Sequence, residues 1–128
     1  MQQLLAVGCG GFLGAVARYT LNGMMQKKFP GFMQGGTLLV NVSGCLLIGI
    51  LMALVTEHVW LFKHETLRRF LITGILGSLT TFSAFGYETV ELLRENEMRS
   101  AAWNVAGNLC LGFAAVWLGL VVTKAIVN

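Results

Sequence analysis

Four stretches of this chain hold no charged residue: Met1–Ala17, Phe29–Thr56, Phe70–Tyr87 and Ser100–Thr123, of 17, 28, 18 and 24 residues. A helix needs about 20 mostly apolar residues to cross a bilayer. The four stretches therefore predict an all-α integral membrane four-helix bundle, read as a single transmembrane domain over 1–128. The spans are expected at about 3–25, 34–56, 67–93 and 99–124, multi-pass in the lipid bilayer. A soluble globular domain is excluded, since only 12% of the residues are charged against about 25% in an average soluble protein. A nucleic-acid partner is not expected: the net charge of +3 comes from scattered loop residues and forms no basic face.

The predicted connections are short: Gln26–Met33, Glu57–Thr66 and the charged turn Arg94–Met98. Such connections force neighbouring helices to run antiparallel, so both termini lie on one side. That side carries Lys63, Arg68, Arg69 and Lys124. The opposite side carries Lys27, Lys28, Arg94 and Arg99, with Arg18 lying towards it. Orientation follows the Lys/Arg bias of short loops, and here the bias is close to zero. Insertion in both orientations is the expectation, with an antiparallel homodimer as its natural assembly. The first stretch lacks the basic start of a signal peptide and reads as a true first helix. That absence and the small size fit a bacterial inner membrane. Glycines crowd the first span, where Gly10, Gly14 and Arg18 share one face. Packing seams account for nearly all sixteen glycines.

Enzyme chemistry finds no support. Cys9, Cys45 and Cys110 fall in different spans without paired metal-ligand spacing and read as small apolar packing. His58 and His64 sit in a loop, six residues apart. No nucleophile–base pair, phosphate loop or dinucleotide fingerprint is present.

Polar residues inside the spans carry the functional signal, because in lipid they must find partners or line a water path. Thr37 and Asn41 lie on one face of the second span, with Gly44 at the next helical step. Ser100, Asn104 and Asn108 form a similar stripe in the fourth. Both stripes fit interhelical hydrogen bonding, and both fit an ion path whose sign they do not fix. In the third span, residues 73–86 contain three glycines and five hydroxyl residues. Helix propensity there is weak, and two readings are open: a continuous polar helix, or a break near Gly77–Thr81 that frees backbone groups at mid-membrane for an ion. Phe82 and Phe85 share a face three residues apart, and their positive ring edges can meet an anion. Glu88 continues that face; a solvated helix end and a buried role are both open for it.

These residues resemble the Fluc (CrcB) family of fluoride channels along the whole chain. Gly14 and Arg18 look like its G-x-x-x-R, and Gly36, Thr37 and Asn41 like its G-T-x-x-x-N. Gly74, Gly77, Thr80, Thr81, Phe82, Ser83 and Phe85 look like its G-x-x-G-x-x-T-T-F-S-x-F, the specific element. The resemblance implies a broken third transmembrane helix in a dual-topology, antiparallel homodimer with two pores. It implies passive export of fluoride from the cytoplasm, which lowers fluoride toxicity. Phe82 and Phe85 would line the ion path, Asn41 would donate to fluoride, and Ser83 would belong to a hydroxyl track. Thr37, Asn104 and Asn108 are placed along the same path. Gly77 and Thr80 would offer backbone carbonyls from both subunits to a central structural Na+. Arg18 would be a structural or vestibule cation. Two positions depart from the family pattern: Asn104 stands where some relatives hold tyrosine, and Ala84 follows Ser83 where a hydroxyl is usual.

The competing class is a small multidrug-resistance-type proton-coupled exporter, also four-helix and dual-topology. It would carry an acidic residue in its first span, where this chain has Arg18 and no acid.

Overall fold

The computed structural model describes residues 1–32 and 34–127; Met33, expected in the first connection, and Asn128 lie outside them. Four helical spans long and apolar enough to cross a membrane follow in order: Gln2–Lys28, Gly35–Thr56, Glu65–Arg94 and Met98–Val127. The described residues contain no strand. The first span runs past its expected end at 25 to Lys28, and the fourth starts at Met98. Both termini lie at one end of the bundle. Gln3 Nε2 donates to Glu65 Oε2 at 3.1 Å, and Lys124 Nζ lies 3.7 Å from Glu57 Oε1.

Two connections close by the same backbone device. His58 and Asn96 adopt the left-handed region, with φ of 54° and 62°. The amide of Val59 then reaches Leu54 O, and that of Glu97 reaches Leu92 O. His58 N–H and Asn96 N–H bond Val55 O and Leu93 O. These paired bonds satisfy the last carbonyls of each helix. The Arg94–Met98 turn can be so short because Asn tolerates this conformation. In the second connection a 3₁₀ turn, Trp60–Lys63, leads into the third span.

Glycines set how closely the helices approach. A Cβ on Gly10 would strike the carbonyl oxygen of Phe70, and one on Gly14 that of Ile75. The first span is thus docked on the backbone of the third. Gly49 and Gly119 play the same part between the second and fourth, where Cβ atoms would strike the carbonyls of Val116 and Leu46. Close backbone approach is how helices associate in lipid, where the hydrophobic effect gives no drive. The small core consists of Val40, Leu76 and Leu79, packed by Ala17, Leu21, Ile48 and Leu51. Large apolar side chains such as Leu4, Phe12, Phe113 and Trp117 point outward, which suits a bundle solvated by lipid tails.

The third span is not uniform. It winds as an α-turn over Glu65–Arg68, a π-helix over Arg69–Leu76 and a short α-turn over Gly77–Leu79. Thr80 and Thr81 are extended, with φ/ψ of −82°/156° and −152°/112°. An α-helix then runs over Phe82–Arg94.

Candidate functional site

The extended pair Thr80–Thr81 leaves peptide groups without helical partners, and the second span supplies replacements. Thr81 N–H donates to Asn41 Oδ1 at 2.8 Å. Asn41 Nδ2 donates back to Thr81 O at 3.2 Å. One side-chain amide thus binds one backbone residue at both its donor and its acceptor, as a neighbouring strand would. Close approach is possible because Gly44 faces Thr80, whose methyl group fills the space a Cβ would need. The Thr81 hydroxyl accepts from Ala84 N–H at 3.3 Å and so caps the Phe82–Arg94 helix, as Thr does at an N-cap.

From Asn41 a hydrogen-bond chain crosses to the fourth span and returns to the third. Asn41 Nδ2 donates to Asn108 Oδ1 at 2.9 Å. Asn108 Nδ2 donates to Asn104 Oδ1 at 3.1 Å and to Asn104 O at 3.0 Å. Asn104 Nδ2 donates to Thr89 Oγ1 at 3.0 Å, and that hydroxyl donates to Phe85 O at 2.8 Å. The two polar stripes therefore meet, and Asn104 is buried. Ser100 bonds Glu97 outside this chain. Thr89 was not singled out from the sequence; its signal is its place one helical turn after Phe85. Asn41 spends both amide hydrogens on protein acceptors, whereas the resemblance assigns that amide to fluoride. Replacing Asn108 with Ala removes an acceptor from Asn41 and a donor from Asn104. The expected loss is about 0.6–1.7 kcal/mol of folding stability in membrane mimetics, read by equilibrium unfolding in mixed micelles.

A cleft of about 410 Å³ opens beside the clamp, lined by residues that include Asn41, Gly77, Thr80, Phe82, Phe85 and Asn108. Six of the residues expected in the site thus share one wall. The rings of Phe82 and Phe85 are in contact, with centroids 5.5 Å apart and planes tilted by 57°. Their exposures differ sharply: Phe85 is buried at 9% and Phe82 is 80% exposed. Phe82 is the first residue of its helix and projects away from the bundle. Ser83 is exposed too, 3.2 Å from the Thr81 hydroxyl.

Five expected residues do not line the cleft: Ser83 and Asn104, already placed, and Thr37, Glu88 and Arg18. Thr37, nearly fully buried, donates its hydroxyl to Glu88 Oε1. Glu88 Oε2 is buried without a partner. Glu88 therefore faces inward rather than forming a solvated helix end. Arg18, expected towards the Lys27 side, donates from Nη1 to Thr80 O at 3.5 Å, level with the extended residues. The other lysines and arginines lie at or near the ends of the spans, four towards each side, with Arg18 between them.

The carbonyls of Gly77 and Thr80 fit the chemistry of a hard cation. The Thr81 amide that would close a helical bond to Gly77 O is turned to Asn41. The Ala84 amide that would serve Thr80 O is turned to the Thr81 hydroxyl. Unwound carbonyls of this kind are used for Na+ in membrane proteins. No cluster of His, Cys, Asp or Glu suited to a metal occurs among the described residues.

Comparison with known proteins places the whole chain among relatives of one family. A protein of Nitratidesulfovibrio vulgaris named fluoride-specific ion channel FluC is 40% identical over 120 residues, covering 94% of this chain and 95% of that protein. One of the same name from Opitutus terrae is 40% identical over 119 residues, 93% and 90% of the two chains. A third, from Paracoccus denitrificans, is 42% identical over 122 residues, 95% and 94%. Residues 5–120 match the family described as CrcB-like protein, Camphor Resistance (CrcB), and the chain belongs to that family.

Proposed function

We propose that this protein is a fluoride-selective channel that lets fluoride leave the cytoplasm passively and so lowers its toxicity. The observation that carries the reading is the Asn41–Thr81 clamp beside the Phe82–Phe85 pair. It belongs to a chain whose relatives are named fluoride-specific ion channels. Fluoride is small and strongly hydrated, so a pore must replace its water with close donors. Neutral amides and hydroxyls do so without the deep binding of a full positive charge. Conduction needs sites that are favourable to enter and easy to leave. A fluoride at Asn41 competes with Asn108 Oδ1 for one N–H. Capture and release are then exchanges of one acceptor for another, which keeps binding shallow. Phe82 and Phe85 offer ring edges beside that donor, and Ser83 and the Thr81 hydroxyl extend the polar track. Asn104 supports the track through Asn108.

The working unit in this reading is an antiparallel homodimer made from both insertion orientations in a bacterial inner membrane. The equal numbers of basic residues at the two ends favour it. So does the outward placement of Phe82, Ser83 and Gly77 on a single chain. The third helix is read as broken at Thr80–Thr81, supported by their extended dihedrals. One chain offers Gly77 O, released from its helical amide, and Thr80 O, whose helical amide is replaced by the Arg18 guanidinium, so a structural Na+ would draw on both copies. Arg18 beside Thr80 O orients that carbonyl from its own chain.

Fluoride efflux from liposomes holding the purified protein tests the proposal; no efflux above protein-free liposomes would overturn it. Phe82→Ala removes an exposed ring, so assembly should persist in size-exclusion chromatography. The flux should fall about tenfold, the scale of one lost aromatic contact of about 1.4 kcal/mol. Unchanged flux would remove Phe82 from the path.

A further inference from the structure

At the end of the bundle that holds both termini, a second cleft of about 240 Å³ opens between the second and third spans. Met52, Val55 and Ile72 give it an apolar lining, and Arg68 and Arg69 line it as well. The two arginines are in different states. Arg69 is committed to Glu65, with Nη2 at 2.7 Å and Nε at 3.1 Å from the same Oε1. The other carboxylate oxygen accepts from Gln3. Glu65, which also lines the cleft, thus has both oxygens engaged. The Arg68 side chain has no ion pair or hydrogen bond among the described residues, and its Nε is buried without a partner. A buried, unpaired guanidinium N–H is costly, so Arg68 is short of one acceptor.

The depth of the cleft says where that acceptor comes from. It lies where the second span ends at Thr56 and the third begins at Glu65. The connection between them exposes Trp60 at 72% and Leu61 at 50%. Exposed Trp beside helix ends marks the headgroup level of a bilayer. Groups entering from that level carry a phosphate at the height of the arginines and an acyl chain that can lie along Met52, Val55 and Ile72. A guanidinium presents a planar fork matched to phosphate oxygens, and basic pockets between transmembrane helices bind lipid headgroups.

We propose that the cleft between Met52–Val55 and Arg68–Ile72 is a binding site for one anionic glycerophospholipid, whose phosphodiester pairs with Arg68. Arg68, Arg69 and Glu65 sum to one positive charge, which a lipid of single net negative charge neutralises and a zwitterionic one does not. The site requires only that the chain crosses a membrane and does not depend on what the channel conducts.

Native mass spectrometry of the purified protein, titrated with phosphatidylglycerol or phosphatidylcholine, tests it. The expected result is preferential retention of one phosphatidylglycerol per chain, with apparent affinity about tenfold weaker in Arg68→Gln, the scale of one charge-assisted contact. Arg68→Lys should fall between the two. Val55→Glu, which places a carboxylate in the cleft, should lose the lipid as Arg68→Gln does and serves if that variant does not fold. Circular dichroism and size-exclusion chromatography in detergent report folding of each variant. Equal binding of the two lipids, or unchanged binding in Arg68→Gln and Val55→Glu, would overturn the site. Displacement of the lipid by equimolar inorganic phosphate would overturn the lipid as its occupant. A lower dimer fraction of Arg68→Gln in pure phosphatidylcholine would assign Arg68 to a second copy of the chain and overturn the proposal too.

Discussion

Asn41→Asp should abolish fluoride flux while leaving a folded helical protein. Asp retains an acceptor for Thr81 N–H but loses both donations that Asn41 makes, to Thr81 O and to Asn108 Oδ1. A carboxylate oxygen then faces two carbonyl oxygens and places a negative charge where an anion must pass. The lost amide donors and the repulsion of the anion remove the flux, while the two lost buried hydrogen bonds, at about 1.5 kcal/mol each, lower stability. Electrode measurement of fluoride efflux from liposomes checks the outcome, with circular dichroism reporting helix content. Efflux at the wild-type rate would remove Asn41 from both the clamp and the path.

Gly14→Val should have the largest effect on assembly of the fold. A Cβ at this position would strike Ile75 O and lie 3.0 Å from the Ile75 carbonyl carbon and 3.1 Å from its Cα. All three are backbone atoms, so no rotamer change relieves the contact and the first and third spans must separate. Overpacking of this kind costs about 3 kcal/mol. Separation would also pull Arg18, one helical turn away, from Thr80 O. Gly8 provides the control, because a Cβ there meets nothing within 4 Å. Thermal unfolding in detergent should show a large loss for Gly14→Val and none for Gly8→Val. Equal behaviour of the two would contradict the packing of the first span on the third.

The spans were legible because lipid imposes a length and a lack of charge that any reader of the sequence can measure. Their ends were less so: Lys27 and Lys28 extend the first helix because long basic side chains can reach the interface from inside it. The short turns depend on left-handed backbone at His58 and Asn96; Asn carries a weak signal for this and His almost none. Polar residues at membrane depth were legible as a set, since lipid makes each of them expensive. Their partners were not. Asn41 and Thr81 are forty residues apart, and nothing local says that one amide will hold both ends of one peptide residue. The Phe pair shows the same limit: three-residue spacing placed both rings on one face. It did not reveal that Phe82, at the first position of its helix, would point outward while Phe85 is buried. Arg18 is legible as a cation inside the first span; its bond to Thr80 O, sixty-two residues on, is not.

Uncoupled passage of fluoride as an anion is tested most directly by charge balance. Liposomes loaded with potassium fluoride and holding the purified protein should release fluoride rapidly once a potassium ionophore allows counter-ion to follow. Release should nearly stop without the ionophore, and a pH gradient should not drive it. Rapid release without the ionophore, or fluoride movement driven by the pH gradient alone, would identify a proton-coupled exporter and contradict the channel.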